Sequence, residues 1–207
     1  MIIGLELNKH MIDVDPNLNY AILLSGGLDS AILLYLLLQA DKNINLQPFS
    51  IPKTDGSYLY VNDILHYFED QFNISIPDTI HVGDPTSHHT LQSKTAVVEI
   101  LENFPHIDQI YFATNQNPTH SFDYSKYPMG GFPNRVKGSD HPKIQMPFID
   151  MYKDEILQFV FDNRQEELLF LTHTCTEQKT GRCGQCFQCN ERQWAFDQLG
   201  KIDPGVN

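Results

Sequence analysis

Positions 25 to 30 read Ser-Gly-Gly-Leu-Asp-Ser, between the apolar run at 20–24 and the apolar, helix-length stretch at 28–40. A short run rich in isoleucine and leucine suits a buried strand. Gly26 and Gly27 let the chain turn tightly and bring bare N–H groups close to a ligand. Ser30 and the residues after it open a helix, whose N-terminus offers unsatisfied N–H donors and about half a positive charge. The arrangement is a cradle for a polyphosphate. It is neither the Gly-Lys-Ser/Thr pattern of the commonest phosphate loop nor the Gly-x-Gly-x-x-Gly of dinucleotide folds.

A second constellation lies near the other end, where Cys175, Cys183, Cys186 and Cys189 follow the pattern Cys-x7-Cys-x2-Cys-x2-Cys. Thiolates so spaced can close a tetrahedron around Zn²⁺ with bonds of about 2.3 Å, leaving no position open for water or substrate. Four thiolates serve an iron–sulfur cluster equally well, and spacing does not separate the two. His173, just before the first cysteine, reads as a packed or solvated histidine. Lys153 is singled out by position, because it falls in the first turn of an expected helix, where a cation opposes the helix dipole.

The elements that must hold these groups alternate. Strands are expected at 20–24, 46–51, 79–82, 108–114 and 144–149, and helices at 28–40, 60–72, 91–104, 151–163 and 190–199. In the second helix Val61, Ile64, Leu65, Tyr67 and Phe68 recur at helical spacing; in the third, Val97, Val98, Ile100 and Leu101 do so; Asp150 is the expected N-cap of the fourth. Residues 2–7 and 11–14 suit a short hairpin ahead of the first sheet strand. The alternation implies an α/β fold, a Rossmann-like doubly wound parallel sheet with helices on both faces, followed by a small four-cysteine knuckle and helix. Two parts are expected: 1–150, a nucleotide-binding α/β domain, and 151–207, a helical part carrying the metal-binding region. Between 115 and 143 the periodicity stops and Pro, Gly and aromatic residues accumulate, together with Lys126, Arg135, Lys137 and Lys143. A loop this long, after the carboxyl end of a strand, reads as a substrate lid.

Composition narrows the partners. The 207 residues carry 14 basic against 26 acidic side chains, a formal net charge of −12 with a pI near 5.0, which weighs against an extensive nucleic-acid surface. No apolar run approaches the ~20 residues that cross a bilayer, so no membrane partner is expected. The start lacks the basic and long apolar regions of a signal peptide, and a cytoplasmic location is expected. An acidic chain with a helical exterior is compatible with a homodimer.

The loop resembles that of the PP-loop ATP pyrophosphatases, which bind ATP, adenylate a substrate and release pyrophosphate. Taken with Thr174-Cys175, Cys183-Gly-x-Cys-x-x-Cys189-Asn190-Glu191-Arg192 and the segment Met146-Pro-Phe-Ile-Asp-Met-Tyr-Lys-Asp-Glu155, it resembles the 7-cyano-7-deazaguanine synthases of that superfamily. Those enzymes convert 7-carboxy-7-deazaguanine to the nitrile with ammonia and ATP. The resemblance implies ATP, Mg²⁺ and Zn²⁺ as cofactors. It places ATP against Leu24, Ser25, Gly26, Gly27, Leu28, Asp29, Ser30, Ser50 and Ile51. Asp29, Ser30 and Lys153 become the catalytic residues, Asp29 orienting the metal–pyrophosphate and Lys153 contacting phosphate or the developing charge. The four cysteines would hold zinc. Thr114, Phe122, Tyr124 and Tyr127 are candidates for the deazaguanine site, the aromatic rings on grounds of stacking chemistry.

Two segments depart from the family. Where it shows Asp-Tyr-Gly-Gln or a close variant after the second strand, this chain reads Ser50-Ile-Pro-Lys-Thr-Asp-Gly-Ser57, and the lid offers Tyr127-Pro-Met-Gly130 in place of Tyr-Pro-Asp-Cys. A second reading therefore keeps the adenylation but passes the carboxylate to another amine, giving an amide or a conjugate with a protein acceptor. Transfer of sulfur to tRNA calls for reactive cysteines, whereas all four here are committed to the metal. A nucleotide-binding adaptor is the non-enzymatic alternative.

Overall fold

The computed structural model describes residues 3–7, 10–87, 89–118, 123, 126 and 136–205. Helix α1 (Leu28–Ala40) is apolar around almost its whole circumference, and Ile32, Leu33, Leu34, Leu36 and Leu37 are all fully buried. A helix hydrophobic on every side must be covered on every side. The sheet covers it on one side, and the antiparallel hairpin of β1 (Ile3–Leu7) and β2 (His10–Val14) lies against it as well, with Ile12 and Val14 buried in the same core. That accounts for the hairpin expected from the sequence.

Strands β3 (Asn19–Leu23), β4 (Asn45–Ser50), β5 (Ile80–His81), β6 (Gln109–Tyr111) and β7 (Ile144–Gln145) form one sheet in the order β5-β4-β3-β6-β7, every neighbouring pair parallel. Alternation along β3 divides the interior. Tyr20, Ile22 and Leu24 face a core shared with α1, α2 (Val61–Phe72), α4 (Lys153–Asp162), α5 (Leu168–Leu171) and α6 (Phe187–Gln198). Ala21 and Leu23 face a second core closed by α3 (His89–Asn103). The sheet is doubly wound, as the alternation of the sequence implies. The chain runs outward from β3 to β5, then returns to the other side of β3, so the loops after β3 and β6 diverge. Such a switch point opens a crevice at the carboxyl ends of the strands. No helix among the described residues is long and apolar enough to cross a membrane.

Local expectations differ in instructive places. Val98 is 43% exposed, because the buried side of α3 is set by Ala96, Val97 and Ile100. Asp150 does not cap α4. The N–H groups of Ile149 and Met151 turn back to Met146 and Phe148, and the helix begins at Lys153, where the Glu155 carboxylate accepts the Tyr152 N–H at 2.7 Å. The last strand is two residues long because this turn takes over at Met146.

Candidate active site

The loop after β3 is built by its own side chains. Ser30 Oγ donates to the Gly27 carbonyl (3.0 Å) and accepts the Ser25 N–H (3.2 Å). With the Ser30 proton used there, the 3.1 Å contact between the two hydroxyls is a donation from Ser25 Oγ, which also accepts the Gly27 N–H at 3.2 Å. The loop is held shut from within, and the Ser30 hydroxyl is turned into it. Gly26 sits at φ +78, and a Cβ there would lie 1.9 Å from the Ser57 carbonyl oxygen. Glycine is required twice over, by the left-handed backbone and by the close approach of the segment following β4. The Gly26 carbonyl accepts the His173 N–H at 2.8 Å, which ties the loop to the approach of the cysteine region.

These contacts frame a cleft of about 250 Å³ at the switch point. Ser25, Gly27, Leu28 and Asp29 line it from the loop, Lys53, Asp55 and Ser57 from the segment after β4, and Asn115 and Asn117 from the segment after β6. Lys153, His173, Thr174, Cys175, Thr176, Phe187, Gln188 and Glu191 complete the wall. Lys153 is buried and its Nζ donates to Asp29 Oδ2, an ion pair linking the first residue of α4 to the first turn of α1. Its unfavourable place on the α4 dipole is explained by that partner. Asp29 Oδ1 is buried without a hydrogen-bond partner, as is Ser50 Oγ at the end of β4. A buried acceptor left open at the mouth of a phosphate loop suits a bound cation or a ligand donor.

Glu191, on the first half of α6, stands in the Cys-Asn-Glu-Arg motif that carries the resemblance, but the sequence assigns it no role. It is 5% exposed and receives the Asn115 Nδ2 on Oε1 at 3.2 Å. Burial pushes its carboxyl up to about 7; Lys153 pulls the other way, Asp29 adds to the rise, and the Asn115 hydrogen bond opposes it. The available signal was its spacing, three and four residues ahead of Trp194 and Ala195, which puts a glutamate on the buried side of the helix. Lys53 and Asp55 stand in the segment that departs from the resembled family and Asn115 opens the long loop; none is a site candidate by sequence, because loop residues reach a cleft through the fold alone.

The four cysteine Sγ atoms lie within 4.8 Å of one another, and those of Cys183 and Cys189 are 4.0 Å apart. Four ligands at about 2.3 Å around one tetrahedral ion stand about 3.8 Å apart, so the set fits a single metal ion with little adjustment. Gly184, at φ +68, makes the turn between the second and third cysteines. Gln185 and Cys186 N–H groups donate to Cys183 Sγ at 3.4 and 3.2 Å, and Glu177 N–H to Cys175 Sγ at 3.4 Å, contacts that favour the thiolate form a metal needs. Asn190 Nδ2 donates to the Gln185 and Cys186 carbonyls (2.9 and 3.0 Å), fixing the knuckle to the start of α6. Cys175 belongs both to this set and to the cleft wall.

Behind the wall, the fully buried Arg192 guanidinium clasps Asp203 through Nε (2.9 Å) and Nη2 (3.0 Å). It also donates to the Leu169 carbonyl (3.0 Å) and to Thr174 Oγ1 (3.2 Å), so it steadies a residue of the cleft. Arg182 pairs with Asp203 from the other side. His173 stacks on Tyr60, with centroids 4.9 Å apart, and its Nε2 meets the Gln178 carbonyl at 2.7 Å, so it is a packed histidine.

Of the residues assigned to ATP by resemblance, the structure brings Ser25, Gly27, Leu28, Asp29 and Lys153 to the cleft. Gly26 and Ser30 shape the loop beneath it. Leu24 and Ile51 are buried in the two cores, while Ser50 keeps its unpartnered hydroxyl. Thr114 is half-buried and is not among the residues of the cleft wall. Phe122, Tyr124 and Tyr127 lie outside the described residues. The 115–143 segment is anchored at its neck by Gln116, whose side chain accepts the Val136 N–H (3.0 Å) and donates to the Val136 (2.9 Å) and Ile149 carbonyls.

Residues 119–200 match the sequence model of the family described as Queuosine biosynthesis protein QueC. No curated protein matches the chain. Among solved structures, it is similar to the U34-tRNA thiolase NcsA from Methanococcus maripaludis with its 4Fe–4S cluster, at 18% identity and a TM-score of 0.45, over 93% of this chain and 69% of that one. It is also similar to the NMN synthetase from Francisella tularensis, at 15% identity and a TM-score of 0.49, over 91% of this chain and 80% of that one. A third is the NH3-dependent NAD synthetase from Campylobacter jejuni, at 17% identity and a TM-score of 0.44, over 72% of this chain and 66% of that one. The QueC match and the phosphate loop at the switch point together support ATP-dependent adenylation chemistry.

Proposed function

We propose that this protein adenylates 7-carboxy-7-deazaguanine with ATP and converts the activated carboxylate, with ammonia, to 7-cyano-7-deazaguanine. The observation that carries the reading is the Asp29–Lys153 pair, set at the mouth of the phosphate loop in a cleft shared with the QueC-like segment. The loop N–H groups and the α1 N-terminus receive the triphosphate. Asp29, Asp55 and Glu191 stand in the cleft against Lys53 and Lys153, so its charge does not by itself balance a polyphosphate. Mg²⁺ held beside Asp29, whose Oδ1 is open, would offset the charge of the triphosphate.

The substrate carboxylate attacks the α-phosphorus and pyrophosphate leaves, giving an acyl adenylate. Ammonia displaces AMP and loses a proton, giving the amide. A second ATP adenylates the amide oxygen with release of pyrophosphate; departure of AMP and loss of protons from nitrogen leave the nitrile. Positioning and electrostatics carry such a reaction, and Lys153, oriented by Asp29, supplies a fixed cation for the phosphates. The close, single-ion spacing of the four sulfurs favours Zn²⁺ over a cluster, in which each thiolate would serve a different iron. Zinc there would be structural, fixing Cys175 and the adjoining wall of the cleft.

Lys53, Asp55 and Ser57 in the cleft belong to the segment that departs from the deazaguanine synthases, which favours as second reading a transfer to another amine, including one on a protein. The mass of the product formed from ATP, 7-carboxy-7-deazaguanine and ammonium decides: a nitrile supports the first reading, an amide or protein adduct the second. Binding of ATP without AMP formation under every condition would contradict both.

A further inference from the structure

Glu191 is a carboxylate taken out of water and pointed at a cleft, which is costly unless a cation or several donors meet it. Its hydrogen bond from Asn115 comes from a neutral amide. The cation nearest in the cleft, Lys153, donates to Asp29. Among the described residues no cation donates a hydrogen bond to Glu191, and the space in front of it is the cleft itself. Thr174, Thr176 and Gln188 belong to the same wall. A compact monocation with several N–H donors suits a buried carboxylate beside a neutral amide better than a phosphate does, since the carboxylate repels the anion.

We infer that Glu191 and Asn115 form the subsite that holds the nitrogen donor as ammonium, in the same cleft as the phosphate loop. The inference rests on the adenylation reading above. About 250 Å³ leaves room for an ion the size of a water molecule, roughly 30 Å³, beside the reacting end of a larger substrate. Gathering ammonium on one wall while the loop grips phosphate on another places ammonia, freed when the ion gives up a proton to water, beside the adenylate it attacks. The Asn115 side chain also donates to the Gln116 carbonyl at 3.2 Å, so the amide that completes the subsite is fixed by the chain that leaves β6.

Steady-state AMP formation is to be measured against ammonium chloride concentration, with ATP and 7-carboxy-7-deazaguanine saturating, for the wild type, Glu191→Gln and Asn115→Ala. The expected result is a KM for ammonium raised at least tenfold in Glu191→Gln and at least threefold in Asn115→Ala, with most of the lost rate recovered at high ammonium. An unmoved ammonium KM in both, or a rise confined to the KM for ATP or Mg²⁺, overturns the subsite. If Glu191→Gln does not fold with its metal, Asn115→Ala, which lies outside the cysteine region, decides alone. Carboxylate-dependent exchange of pyrophosphate into ATP by the wild type separates the two layers. With exchange present and ammonium KM values unmoved, the subsite falls while adenylation stands; with exchange absent, the adenylation reading falls and the subsite with it.

Discussion

Lys153 and Asp29 are 124 residues apart in sequence, yet the ammonium group of one donates directly to the carboxylate of the other at the mouth of the phosphate loop. Each occupies a first helical turn, and the two helices bury side chains in one core. In the proposed reaction the pair would make positioning of the triphosphate depend on the junction between α1 and α4. Asp29→Asn and Lys153→Met are each expected to slow AMP formation by roughly 10²–10³-fold. The double variant should be little slower than either, because residues acting as a unit are not additive. Single-turnover AMP release checks this, and fully multiplicative losses would separate the two residues.

Gly26 tests the loop itself. Alanine there meets the Ser57 carbonyl and must adopt a left-handed backbone, so Gly26→Ala is expected to destabilise the protein by about 1–3 kcal/mol and to weaken ATP binding. Chemical denaturation and nucleotide titration are the measurements. A variant as stable as the wild type with undiminished ATP affinity would show that the segment after β4 does not press on the loop.

The cysteine set predicts a link between metal and stability. Cys186→Ser should release most of the bound metal and lower the melting temperature, since binding free energy at a structural site is folding free energy. Metal analysis and thermal unfolding with and without chelator check it. Metal retained at one equivalent per chain with unchanged stability would remove Cys186 from the ligand set.

A pH dependence follows from Asp203. Burial alone would raise its carboxyl, but hydrogen bonds from Arg192 and the charges of Arg192 and Arg182 outweigh it and hold it below the usual carboxylate range. A depressed folded-state value means that the stabilisation is fully present above the unfolded carboxylate value, about 3.9, and is lost as pH falls through the folded one. Asp203→Asn should cost about 3–5 kcal/mol at pH 7, because it leaves a buried guanidinium unpaired. The gap to the wild type should narrow below about pH 4. A gap that stays constant from pH 7 down to pH 3 would show that the pair does not titrate with folding.

Much of this was legible in the sequence, and the reasons are physical. The strand, glycine turn and all-apolar helix at 20–40 carry their own periodicity and backbone demands, so α1 is found at the bounds the pattern gives. The Cys-x2-Cys-x2-Cys run encodes a local turn, so its thiols converge as expected. Asp150 was misplaced as a cap because the choice between it and Tyr152 depends on where the Phe148 and Met146 carbonyls receive the turn. Glu191 is visible in the sequence only as part of the Cys-Asn-Glu-Arg motif, because its place in the cleft is not set until the helix is docked. Leu24 and Ile51 are given to ATP by resemblance alone, and where each side chain goes is set by the docked sheet, which buries both in the cores.

The central claim, that the loop activates a carboxylate by adenylation, is tested most directly by identifying the nucleotide product formed from ATP in the presence of 7-carboxy-7-deazaguanine. The account predicts AMP and pyrophosphate in equal amounts, formed only with the carboxylic acid present and lost in Asp29→Asn. ADP and inorganic phosphate, or AMP formed at the same rate without the acid, would contradict it.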